Sequence, residues 1–327
     1  MLIHRKPNEP LAVYIDQMQW INLGRAYHQR PDGASFEAAL KKIQNAVQKK
    51  TARIPFSREH VLETMKMGDA ARRQRLAQVI AELSEGWTIA PWEKVNPVEL
   101  TMSVPKAFNK PPLINSPLVF GRGIEFAFGE PVHVRSIIDS LDSPIELKKR
   151  MAIQFLAIIL SSPYESLRKP GIDNYNARMN ATADDADRIR KLVRNHNKDL
   201  RYRAFTARHV YDFFRVRQRE LMESLAQIGL RIDDFFDSLG KDGLTKFFED
   251  MPTTDIMMNL RNQRNNQFEK VISANDLNDL SFLAVAIPYC DVVITEKQWV
   301  DLAKRKGFDR KYNTVLLSDL AELANYI

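Results

Sequence analysis

The apolar positions near the amino end change period within a few residues. Leu11-Ala-Val-Tyr-Ile15 is a continuous apolar run bounded by Asn8-Glu-Pro10 and Asp16, the pattern of a buried strand with an acid at its carboxyl end. Met18 and Ile21, three apart, predict a helix to about His28, with Gly24 its weak point. Phe36, Ala39, Leu40, Ile43 and Val47 then recur at helical spacing, predicting a helix from Phe36 to Lys50. Ser57 is a natural N-cap for a third helix through Glu59, Val61, Leu62, Glu63 and Met65. A further helix is predicted from Arg72 to Ser84, and a short strand from Trp87 to Trp92 between Gly86 and Pro91.

The carboxyl-terminal part alternates in the same way. Leu277, Leu280, Leu283, Ala284 and Ile287 define one helical face, with Ser273 or Asn275 as N-cap and Pro288 as stop. Val292-Val-Ile-Thr295 is a short β-branched run suited to a central strand of a parallel sheet. Helical periodicity precedes this unit from Ile256 to Val271, and Asn313–Leu317 and Ser318–Ile327 predict a last strand and helix. Between the ends, Pro105, Pro111, Pro112 and Pro117 punctuate an irregular segment. Turns are predicted at Gly121–Gly123 and Gly129–Pro131, and helical spacing dominates from Pro131 to Glu249. The fold class expected is α/β, with a mainly parallel sheet built from residues 1–96 and 255–327 and a mainly helical insertion at 97–254.

Composition narrows the class. The chain has 327 residues, 44% hydrophobic and 27% charged, enough for a substantial core and without a disorder signature. One cysteine, Cys290, allows no intramolecular disulfide, and no secretory leader pattern is seen, so a reducing, cytoplasmic setting is expected. The longest apolar run, within Met151–Leu160, is broken by Gln154 and is too short to span a bilayer; it predicts a core helix and no membrane association.

The candidate chemistry is acidic. Asp16, Asp276, Asp279 and Glu296 all fall at strand carboxyl ends or helix amino ends, which meet on one edge of a parallel sheet, where ligands of open α/β sheets gather. Asp276 lies within the apolar face of its helix and Asp279 at its flank, while Asp291, at the opposite end of its strand, is expected to be structural. Glu59 and Glu63 start from a nearby helix. Clustered carboxylates repel unless a proton or cation joins them, and all-oxygen ligation selects hard ions such as Mg²⁺ or Mn²⁺. No Gly-rich phosphate loop, His-Glu-x-x-His, cysteine pairs or Gly-x-Ser-x-Gly elbow is present.

Tyr14-Ile-Asp16, Ser57 followed six residues later by Glu63, Asn275-Asp-Leu-Asn-Asp279 and Pro288-Tyr-Cys-Asp-Val-Val-Ile-Thr-Glu-Lys-Gln-Trp299 together resemble the PIN-domain nucleases, over about residues 10–95 and 255–327. The resemblance implies a three-layer α/β/α sandwich that hydrolyses phosphodiester bonds of RNA, or of single-stranded or structured DNA, with Mg²⁺ or Mn²⁺. By position it implies catalytic and metal-binding roles for Asp16, Glu63, Asp279 and Glu296, with Asp276 as an alternative or further ligand and Thr295 as the small hydroxyl residue before the last acid. Two features depart from the family: Glu296 stands where Asp is common, and the helical insertion is not part of the basic unit. The helical wheel favours Glu59 over Glu63, whereas family spacing favours Glu63.

The insertion carries the charge. Residues 188–219 hold eleven basic and two acidic residues, a net +9 against +7 for the whole chain. Arg188, Arg190, Lys191, Arg194, Arg201, Arg203, Arg208 and Arg215 are therefore candidate nucleic-acid contacts, with RNA favoured over DNA. The interleaved Tyr202, Phe205, Tyr211, Phe213 and Phe214 are expected mainly in the core, and His60, His196 and His209 on the surface. Trp20 and Trp299 are expected to pack beside the acids. Two alternatives share these features: a non-catalytic nucleic-acid-binding or scaffold protein with a PIN-like fold, and a nuclease effector held inactive by a regulatory protein partner.

Overall fold

Four strands, β1 (Leu11–Ile15), β2 (Ala52–Arg53), β5 (Val292–Ile294) and β6 (Val315–Leu317), form an all-parallel sheet in the order β2-β1-β5-β6. The computed structural model describes residues 9–112, 114, 116–130, 143–167 and 170–327, and the start of the helical segment expected at Pro131 lies outside them. The β1 and β5 side chains are almost completely buried, as continuous apolar strands of a covered parallel sheet must be. Val13 pairs with Val292 and Ile15 with Ile294, which pairs in turn with Leu317, so the strands end in register on one edge.

Described residues fall into two units, each with its own core. The sheet unit takes 9–91, 119–167 and 286–327. Its first half contains α1 (Gln17–Tyr27), α2 (Glu37–Gln48), α3 (Arg58–Met65) and α4 (Ala70–Ser84), close to the helices predicted from periodicity. The core combines Ile15, Trp20, Ile43, Phe56, Ile80 and Ile294. β3 (Trp87–Ile89) pairs with β4 (Phe120–Arg122) in a separate antiparallel ribbon, tied to Phe56 by two backbone hydrogen bonds.

The helical unit, within 92–118 and 170–285, contains α5 (Trp92–Ala107), then, after α6 (Ile124–Ala127) and α7 (Ile145–Ser161) of the sheet unit, α8 (Pro170–Val193), α9 (Lys198–Gln227), α10 (Ile232–Glu249) and α11 (Pro252–Asn265). Phe213, Phe214, Phe235, Phe247 and Phe248 meet edge to face, with centroids 5.1 to 6.2 Å apart. Leu100, Val104, Leu221 and Leu225 complete that core. The division of the chain therefore differs from the expected 97 and 254: residues 119–167 belong with the sheet, and 255–285 with the helices.

Four local expectations change. Pro97 and Pro105 lie inside α5 rather than opening an irregular stretch. The apolar run at Met151–Leu160, expected to be a core helix, buries Leu156 and Leu160 in α7 while Phe155 and Ile158 remain exposed. α12 (Ala274–Tyr289) includes Pro288, which ends the helix one residue later than expected. The terminal segment is a short 3-10 turn, Leu320–Asn325, capped by Asp319, rather than an α-helix. No helix among the described residues is long and apolar enough to cross a membrane.

Candidate active site at the sheet edge

The parallel ladder continues one residue beyond the strands and fixes the backbone that carries the acids. The Asp16 amide donates to the Ile294 carbonyl at 3.0 Å, and the Thr295 amide to the Leu317 carbonyl at 3.1 Å. Asp16 is also the N-cap of α1, its carboxylate accepting from the Gln19 amide at 3.1 Å. Thr295, buried, donates its hydroxyl to Asp16 as well. A strand end and a helix start thus share one aspartate. Its side chain is only 7% exposed.

Burial pushes the Asp16 carboxyl up to about 6, and the charge of Glu296 adds to that rise against the stabilising amides. Glu63, on α3, is pushed up to about 7, first by burial and then by Glu59, Asp16 and Glu296, with Lys66 opposing. Asp16, Glu63 and Glu296 therefore feel one another. Glu296 is exposed, follows β5 and begins α13 (Lys297–Arg305), accepting from the Gln298 amide nitrogen Nε2 at 2.9 Å.

Glu59 and Glu63 are distinguished by their partners. Glu59 accepts from Arg58 at 3.0 and 3.3 Å, in a buried ion pair. Among the described residues Glu63 forms no ion pair, Lys66 acting on it only through its charge.

The support beneath the acids is polar and fully buried. Tyr14 hydrogen-bonds Ser57 at 3.0 Å, and its ring stacks on His60 at 5.2 Å between centroids. His60 Nδ1 accepts from the Ser57 amide at 3.0 Å, closing a capping box on α3. Burial drives the imidazole down to about 3, so it is neutral with its proton on Nε2. His60 is thus a core residue and not the expected surface histidine. Burial, followed by the charge of Glu59, lifts the Tyr14 hydroxyl well above its ordinary value. Trp20 and Trp299 pack in the interior as expected.

Asp276 and Asp279 stand on the first turns of α12, in the part assigned to the helical unit. Asp276 is held by Arg264 at 2.7 and 3.2 Å and accepts from the Ser273 amide and hydroxyl, both at 2.8 Å. Burial raises its carboxyl, but Arg264 and Ser273 outweigh that and hold it below the usual carboxylate range. Ser273, accepting from the Asp276 amide at 3.2 Å, is the N-cap. Asp279 is half-buried. Asp291 accepts from the Ala12 amide at 2.7 Å, the structural role expected.

The basic stretch divides. Arg190 is buried against Asp187 and the carbonyls of Asn265, Gln267 and Lys270, so it is a strut for α8 and the chain after α11 rather than an exposed nucleic-acid contact. Arg188 and Arg208 pair with Asp185, and Arg208 also with Asp212. Lys191, Arg194, Arg203 and Arg215 are exposed, as is His196, while Arg201 lies over the Phe268 ring at 4.8 Å. A basic surface not singled out in the sequence lies in the sheet unit. Arg25, His28, Arg30, Arg72 and Arg75 line a recess of about 340 Å³ beside α1 and α4, with no acid among its lining residues. Asp32 pairs with Arg25 and Arg30, at 3.3 and 2.9 Å.

Among the described residues, no three of His, Cys, Asp and Glu are arranged to hold a metal ion. Oxygen donors of this kind suit hard cations such as Mg²⁺, which keep several waters and take one or two protein carboxylates directly. Gln17 adds an oxygen: its Nε2 donates to Thr64 at 3.2 Å, and its Oε1 is buried without a partner beside the acids' own helices. Comparison with protein-family models, curated proteins and solved structures finds no match to this chain.

Proposed function

We propose that the protein is a divalent-metal-dependent nuclease of the PIN type, hydrolysing phosphodiester bonds at the edge of its parallel sheet. The observation that carries this reading is the pair of raised carboxyls: Asp16 and Glu63, on different elements, are pushed up to about 6 and about 7, first by burial and then by neighbouring acids, Glu296 for Asp16 and Glu59, Asp16 and Glu296 for Glu63. Their desolvation and mutual repulsion are relieved by a shared cation.

Asp16 and Glu63 would hold Mg²⁺ or Mn²⁺, with Glu296 reaching it through water. When bound, the ion supplies charge neutralisation at the phosphate and a more acidic water. Asp16 is oriented for this by the Gln19 amide and Thr295 hydroxyl, which point its lone pairs and limit its rotation. The Tyr14–Ser57–His60 network keeps α3, and so Glu63, fixed against β1. The acid-free recess at Arg25, Arg30, Arg72 and Arg75 supplies phosphate contacts within the same unit. Finer assignment of the fold to a three-layer PIN-like sandwich is part of the same proposal, supported by the parallel order β2-β1-β5-β6 with acids after β1 and β5.

The test is cleavage of matched single-stranded and structured RNA and DNA by purified protein with Mn²⁺, Mg²⁺ or EDTA, beside Asp16→Asn. Metal-dependent products that disappear in the variant are expected, with RNA cut faster than DNA. Salt-sensitive binding without any cleavage would replace this reading with a non-catalytic nucleic-acid-binding protein.

A further inference from the structure

The helical unit contains a cavity of about 390 Å³, within the range of small-molecule sites. Its lining is unusual in combining five arginines, Arg178, Arg208, Arg215, Arg217 and Arg261, with only two aspartates, Asp185 and Asp212. That leaves three positive charges in excess on the wall of one cavity.

The arginines are not equivalent. Arg217 is buried, donating to Asn96 at 3.0 Å and Glu220 at 3.3 Å and lying over the Trp92 ring at 5.4 Å, so its place is structural. Arg208 is committed to Asp212 and Asp185, at 2.9 and 3.0 Å. Arg261 differs from both, because its Nε is buried without a hydrogen-bond partner. Burial holds the Arg261 guanidinium below its ordinary value, Asp212 and Asp185 opposing and Arg208 reinforcing that effect. His209, on the same wall, is driven well below its usual range by burial and then by Arg261 and Arg208, and is therefore neutral. A desolvated cation with an unused donor, only partly offset by Asp212 and Asp185, gains from an anion placed beside it.

The remaining walls mix apolar side chains with hydroxyls and one amide, those of Thr182, Thr253, Thr254, Ser281 and Asn96. Trp92, Phe213, Met179, Met257 and Met258 line the same space, which exceeds what an inorganic anion would fill. An aromatic and thioether surface beside guanidinium donors matches a ligand with a flat apolar body and a phosphate. We propose that this cavity binds a nucleoside phosphate, its phosphate on Arg261 and its base against Trp92, Phe213 and the methionines. The site is separate in its residues from the sheet-edge acids and does not depend on the nuclease reading.

The experiment is calorimetric titration of the full chain, in EDTA so that the acids hold no metal, with AMP, ADP, adenosine and inorganic phosphate. Binding is expected for AMP or ADP, with adenosine and phosphate each at least tenfold weaker. Arg261→Gln should weaken nucleotide binding at least tenfold while its melting temperature stays level or rises, since it removes a desolvated charge. Met179→Glu, which sets a carboxylate in the cavity, should also weaken it, and Asp16→Asn should bind as the parent does. No nucleotide binding up to 1 mM, or binding indifferent to Arg261→Gln, would overturn the proposal. A marked loss of melting temperature in ligand-free Arg261→Gln would do the same, by assigning Arg261 to an internal ion pair.

Discussion

Arg264 grips Asp276 through two hydrogen bonds, 2.7 and 3.2 Å long, with both side chains almost fully buried. One of the two aspartates at the start of α12 is thereby committed to holding the helix. Replacing Asp276 with Ala leaves a buried guanidinium uncompensated and should lower stability by about 3–5 kcal/mol. Asp279→Asn should cost far less stability. Urea unfolding of the two variants checks this, and equal losses would mean that the pair does not anchor the helix.

The raised carboxyls have a definite pH signature. Asp16 has a folded value of about 6 against an ordinary 3.8, so its protonated form is favoured by folding. The stability it contributes is fully present below the ordinary value and is lost as pH rises through about 6. Charging it costs about 3 kcal/mol by about pH 8. Glu63 acts with the same sign, its loss running from its ordinary 4.5 and nearly complete as pH rises through about 7. The difference in stability between Asp16→Asn and the parent, followed from pH 5 to 8 in EDTA, should therefore grow in favour of the variant. Mn²⁺ should raise the parent's melting temperature more than the variant's. A flat difference would show that Asp16 is not desolvated.

His60 works in the opposite direction. Its folded value of about 3 lies below the ordinary 6.5, so the stability it contributes is present above 6.5 and is lost as pH falls below it. Its imidazole resonances should not titrate between pH 5 and 8. His60→Leu removes the acceptor for the Ser57 amide and the stacked partner of Tyr14, and should cost about 2–3 kcal/mol. An imidazole titrating near 6.5 would contradict the burial of this ring.

Arg72 and Arg75 line the acid-free recess, and their joint replacement by Gln should weaken binding of single-stranded RNA and reduce the dependence of log K on log salt by about 1–1.5. Arg190→Gln should instead destabilise the protein, since that guanidinium holds three backbone carbonyls. Filter binding across salt concentrations, beside melting curves, separates the two effects.

Much of the sheet unit was legible because its signals are local. A continuous apolar run followed by an acid, Leu11–Asp16, can hardly be anything but a buried strand with its acid at the edge, and the β-branched run at Val292 behaves alike. Ser57 and Ser273 were legible as caps for the same reason. What escaped was set by distant partners. The histidine at position 60 sits among polar neighbours in sequence, yet Tyr14, forty-six residues away, stacks on it. The charge excess counted over 188–219 stopped just short of Asp185, Asp187, Glu220 and Glu223, which pair with its arginines. Pro97 and Pro105 read as breaks, but they sit in one 16-residue helix whose packing against α9 and α11 overrides them. Residues 255–285 follow the helical unit because the apolar side of α11 meets the aromatic core of α9 and α10, a pairing no local pattern encodes.

Mn²⁺ binding measured by calorimetry at pH 6, in two buffers of different ionisation enthalpy, tests most directly whether Asp16 and Glu63 share a cation. At that pH Asp16 is about half protonated and Glu63 largely so, so binding should release between about one and two protons per ion, and the release should fall in Asp16→Asn and in Glu63→Gln. Binding without proton release, or release unchanged in both variants, would place the ion elsewhere and contradict a metal-dependent centre at the sheet edge.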